Sequence, residues 1–82
     1  MKNRKINIRL SYTGVIDIKN VSNSSIIKIY TDSSIDEVLS MLGIRKGHKK
    51  YIISMVNDEK QKSTYILQDN DHLSLFLPIG GG

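Results

Sequence analysis

The chain has 82 residues, no cysteine, and 12 Lys+Arg against 8 Asp+Glu, for a net charge of +4. A chain of this length forms one domain that buries only about 60–65% of its extended surface, so its core must be compact and well patterned. The missing cysteines exclude a disulfide framework, a thiol nucleophile, a thiolate zinc site and a redox pair. No apolar run approaches the ~20 residues of a membrane span, and Met1 to Lys5 leads into no signal-type stretch, so a cytoplasmic protein without membrane contact is expected.

The first element is Lys5 to Leu10, whose strict alternation reads as a half-buried strand with Ile6, Ile8 and Leu10 facing the core and Asn7 and Arg9 facing out. Thr13-Gly14 breaks the pattern. Val15 to Ile18 reads as a short strand or a packed turn, and Asn20 to Ser25 as a polar loop. A second strand is expected at Ile26 to Tyr30, with Ile27 and Ile29 inward and Lys28 outward.

The helix signal is sharper. Ser34 and Glu37 form an S-x-x-E capping box, and Asp36 and Glu37 suit the positive end of the helix dipole. Ile35, Val38, Leu39 and Leu42 fall on one stripe, over about two and a half turns. Gly43 stands where a left-handed C′ residue belongs, with Ile44 placed for the accompanying apolar contact.

A basic loop, Arg45 to Lys50, precedes a β-rich run from Tyr51 to Val56, the turn Asn57-Asp58-Glu59, and a weaker extended piece near Ser63 to Ile66. Asp69-Asn70-Asp71 reads as a tight turn with Asn70 left-handed. The last strand is expected at His72 to Ile79, with Leu73, Leu75 and Leu77 inward and His72, Ser74 and Phe76 outward. Pro78 lacks an N–H, so pairing ends there or runs on an edge. Two strands, one helix and further strands give an α+β roll: a mixed sheet of four to five strands packed on one main helix.

The chain ends in Gly80-Gly81-Gly82. Glycine makes up about 7% of average sequences, so three in a row at a fixed place arise by chance roughly once in three thousand. Residues without Cβ lie flat in a narrow channel and present an unhindered carboxylate, as a terminus activated by another protein requires. A frayed end or a cloning remnant looks the same from the tail alone.

Together, Leu67 to Gly82 resemble the pattern L-x-x-G-D-x-V-x-x-x-x-P-x-x-G-G of the small ThiS/MoaD sulfur carriers, which are ubiquitin-like β-grasp proteins. The capped helix and the Val56-Asn57-Asp58-Glu59 turn resemble the family's middle section, so the likeness spans nearly the whole chain. Asn70 replaces the usual glycine of the turn, Leu77 stands where molybdopterin-type carriers often carry a proline, and Gly80 adds a third glycine more like the thiamine-type carriers. These departures leave the fold alone and blur the pathway.

The resemblance implies a β-grasp domain over residues 1–79, a glycine tail over 80–82, and a carrier rather than an enzyme. A partner of the ubiquitin-activating type would use ATP with magnesium to adenylate the Gly82 carboxylate. A sulfur donor, such as a cysteine desulfurase or a rhodanese-like protein, would convert it to a thiocarboxylate. An acceptor synthase subunit would receive the sulfur for molybdopterin or thiamine synthesis, or the sulfur would serve tRNA thiolation. Gly81 and Gly82 would thread into the partner's active site, Gly80, Pro78 and Ile79 would contact the partner, and Phe76 would anchor docking. The first activation step is shared with ubiquitin-like protein modifiers, which leaves conjugation through Gly82 as an alternative.

Arg9 and Lys28 share the outer face with Phe76 and suit an acidic partner, or are simply solvated. Phe76 alternatively covers a minor core beneath the loop from Thr13 to Asn20. His48 and His72 lack a second ligand at metal spacing, so no metal is assigned. The basic loop with Tyr51 raises an RNA-binding module as a rival, against which stand the lack of a stacking platform and the useless glycine end such a module would have.

Overall fold

A computed structural model describes residues 4–13, 16 and 24–77. The elements run β1 (Lys5–Tyr12), β2 (Ser25–Tyr30), α1 (Ile35–Met41), α2 (Lys46–Lys49), β3 (Ile53–Val56), β4 (Glu59–Gln61) and β5 (His72–Phe76). They form one mixed five-stranded sheet in the order β2-β1-β5-β3-β4, the ubiquitin-like β-grasp arrangement. The first and last strands pair in parallel at its centre, and the other pairings are antiparallel.

Alternation fixes which face is buried. Ile8, Leu10 and Ile29, with Leu73, Leu75 and Val56, meet Ile35, Val38, Leu39 and Leu42 of the α1 segment in one core, which Ile44 and Leu67 close. Each fully buried aliphatic side chain contributes roughly 1.5–3 kcal/mol. Ser34 Oγ accepts the Glu37 N–H, and Glu37 Oε1 accepts the Ser34 N–H, both at 3.1 Å, completing the capping box. Gly43 lies at φ +82. Its N–H donates to Ser40 O and that of Ile44 to Leu39 O, the paired bonds of a Schellman C-terminus.

Several boundaries differ from the sequence reading. The α1 helix is seven residues long, closer to two turns, because the Schellman bonds close it at Leu42. The 45–50 segment is a helical turn and not a loop. The Tyr51 and Ile52 N–H groups still bond back to His48 and Lys49, so β3 starts only at Ile53. Asn57 and Asp58 both take positive φ, 53 and 70, and make a complete two-residue hairpin turn. Pairing therefore resumes at once in β4, opposite Val56. The stretch 63–66 is instead a turn with a single bridge, Ile66 to Ser34. Of Val15 to Ile18 only Ile16 falls among the described residues; it is buried, and its N–H donates to Thr13 O, as in a packed turn.

Candidate functional site

The central position of β5 fixes where the chain leaves the sheet. Leu73 and Leu75 are completely buried, and the parallel ladder with β1 is extended at both ends, by Arg9 N–H to Asp71 O and by Thr13 N–H to Leu75 O. Leu77, half-buried against the core, is the last described residue. Pro78, Ile79, Gly80, Gly81 and Gly82 lie outside the described residues. Five residues beyond a fixed point span at most about 18 Å when extended. A reacting end there requires a partner surface close to the end of β5.

One side of these surroundings is the outer face of the sheet, away from α1. Phe76 is 41% exposed, and its register partner on β3 is Ile53. Met55 pairs with Ser74 one row along, so Phe76, Ile53 and Met55 form an apolar corner beside the root of the tail. An exposed aromatic flanked by aliphatic side chains is the usual anchor of a protein interface. Ile53 and Met55 were not singled out from the sequence. Their facing follows from the antiparallel register of β3 with β5, in which Val56 opposes Leu73 and Ile53 opposes Phe76.

Arg9 and Lys28 lie on the same face but at its other end. Arg9 stands between Ile26 on β2 and His72 on β5, and Lys28 opposes Asn7. Four positions along β5 separate His72 from Phe76, about 13 Å at strand spacing. The structure thus brings Arg9 and Lys28 together and separates both from Phe76. The face has an apolar end at the tail and a cationic end beyond it.

Between these ends the polar groups are satisfied. His72 Nε2 lies 2.8 Å from Ser11 Oγ and 3.5 Å from Ser74 Oγ. Behind it, the buried Asp71 carboxylate accepts the Gln68 N–H and the Asn57 side-chain amide, while Asn57 Oδ1 accepts the His72 N–H. Asp69 Oδ1 accepts the Asn7 N–H, and Asn70, at φ 69, donates its own N–H to Asn7 O. These side chains tie two turns to the strand that carries Phe76. No group of three or more histidine and carboxylate side chains that could hold a metal ion occurs among the described residues. None of the described helices is long and apolar enough to cross a membrane.

The ThiS family model matches residues 14–82, most of the chain and all of its glycine end. No curated protein sequence matches. Among solved structures, the chain resembles SAMP1 from Haloferax volcanii, with 17% identity and a TM-score of 0.62 over 93% of this chain and 99% of that one. It also resembles a protein in the complex of subunits 1 and 2 of the molybdopterin-converting factor from Helicobacter pylori, with 22% identity, a TM-score of 0.59, and coverage of 94% and 100%. A third likeness is the ubiquitin of Caldiarchaeum subterraneum, with 14% identity, a TM-score of 0.58, and coverage of 96% and 100%. At these identities the structural neighbours establish the β-grasp fold.

Proposed function

Because the chain belongs to the ThiS family, we propose that it is a sulfur carrier whose reactive group is the carboxylate of Gly82. The observation that carries this reading is the reach of the family match to residue 82, so that the glycine end is part of the likeness. In the first step a Gly82 carboxylate oxygen attacks the α-phosphate of ATP, and pyrophosphate leaves. In the second, a persulfide of the donor protein displaces AMP at the acyl carbon to give an acyl disulfide, and a thiol of the donor or the partner then cleaves the S–S bond, becoming a disulfide as the thiocarboxylate is released. ATP and its magnesium belong to the adenylating partner. This chain supplies the unhindered terminus and the surface that positions it.

The apolar corner of Phe76, Ile53 and Met55 is our proposed docking anchor for that partner. Pro78, Ile79, Gly80 and Gly81 would span the distance to its active site. Arg9 and Lys28 would meet acidic groups at the far end of the same face and steer approach. The Helicobacter pylori neighbour is described as a complex of two molybdopterin-converting subunits, which makes an acceptor synthase subunit the first acceptor to test. Thiazole synthesis and tRNA thiolation are the other routes.

The test is ATP–pyrophosphate exchange catalysed by the adenylating partner. Exchange should depend on this chain and vanish when Gly81 and Gly82 are deleted, with the fold unchanged. Exchange that persists with the shortened chain would overturn the reading.

A further inference from the structure

The basic segment has no role in the carrier chemistry, yet it is one of the two places where cations crowd along the chain. Arg45, Lys46, Lys49 and Lys50 lie within six residues that contain no acid, and the remaining eight cations equal the eight acids elsewhere. The turn thus carries a local excess of four positive charges, as the first nine residues also do. The turn is also held in place: Ile44 before it is buried, Ile52 after it packs against the core, and Lys49 reaches the Ser40 hydroxyl and, at 3.3 Å, the Asp36 carboxylate of α1. Arg45, Lys46 and Lys50 are exposed and have no acidic partner among the described residues.

Lys46, Lys49 and Lys50 line an open groove of about 640 Å³ with Asp36, Ser40 and Ser63. Arg45 and His48 border an adjacent cleft with Ile16, Ile44, Ile52 and Leu77, which reaches the root of the tail. Both lie on the helix-bearing side of the sheet, so a molecule bound there leaves the Phe76 face open. We propose that the 45–50 turn is a second docking surface, and that its occupant is an acidic segment of a partner protein. This goes beyond the carrier reading and holds whether or not Gly82 takes sulfur.

Two features select carboxylates over a nucleic-acid backbone. The groove already holds a lysine–carboxylate contact, Lys49 with Asp36, so one of its lysines already takes a carboxylate. Exposed Tyr51 is the adjacent ring, but the Lys50 ammonium sits 5.2 Å from its centroid, and no aromatic side chain lines the groove itself. Single-strand binders need successive open rings for stacking.

Amide chemical shifts of the full chain, titrated with a short peptide of alternating glutamate and serine, test the proposal. Shifts should centre on residues 45–51 with Ser40 and Ser63. Affinity should fall roughly tenfold or more as salt rises from about 50 to about 300 mM, where the Debye length shortens from about 14 to about 6 Å. Lys46→Glu with Lys50→Glu, both at exposed positions, should abolish the shifts with the circular dichroism unchanged. Lys5→Glu with Lys60→Glu makes the same change in net charge away from the turn and should leave most of the affinity. Equal loss with both pairs would show a response to total charge and overturn the proposal. So would the absence of binding, or tighter binding of a single-stranded RNA of the same length with shifts centred on Tyr51.

Discussion

Leu75 and Phe76 are neighbours in β5, and the pleat gives them opposite tasks. Leu75 is completely buried beneath α1, while Phe76 stands on the outer face beside Ile53. Leu75→Ala should cost about 2–5 kcal/mol in urea unfolding, the range for a truncated core leucine. Phe76→Ala should cost no more than about 1 kcal/mol, yet weaken binding of the adenylating partner by roughly tenfold or more. A collapse in stability on truncating Phe76 would place it in the core and remove the proposed anchor. Gly43 is another position where one residue decides: open space surrounds its missing Cβ, so a side chain there is resisted by the backbone alone, at φ +82.

At the scale of elements, the β3–β4 hairpin and the turn before β5 act as one unit through Asn57. Its backbone takes φ 53, its amide bonds the buried Asp71 carboxylate at 2.9 Å, and its carbonyl oxygen accepts the His72 N–H at 3.0 Å. Asn57→Ala strands the partners of that side chain and puts a Cβ residue with no compensating polar group in the left-handed region. We expect a loss of about 2–3 kcal/mol in urea unfolding. Asn57→Gly removes the backbone part and should lose about 1 kcal/mol less. Equal losses would show that the hydrogen bonds alone matter. The helix was legible in the sequence to its caps, because Ser34, Glu37 and Gly43 are local chemistry that needs no tertiary context. The edge strand Glu59 to Gln61 was not, because three polar residues carry no alternation and owe their pairing to the turn before them. The helical turn at 46–49 was hidden likewise: its sequence reads as a charge run, and its anchors, Ile44 and Ile52, lie outside it. The facing of Phe76 and Arg9 was readable from period two, but their separation along the face needed the β1–β5 register.

For the whole molecule, the parallel pairing of the first and last strands matters most. Joining β1 and β5 at the sheet centre gives β5 a paired neighbour on each side, so the last described strand is held by two ladders. The fold thus holds steady the surface beside a terminus whose chemistry, as proposed, is completed by another protein. As proposed, the cationic turn on the helix side gives one small domain a second docking surface, on the opposite side of the sheet from Phe76. As proposed, Gly82 is the group that carries sulfur. The most direct measurement is the intact mass of the chain after incubation with its adenylating partner, ATP with magnesium, and a sulfur donor. The expected mass gain equals the exchange of one oxygen for sulfur, localised to Gly82 by fragmentation. An adenylated chain that returns unchanged, or one recovered only as a conjugate to a lysine of another protein, would contradict it.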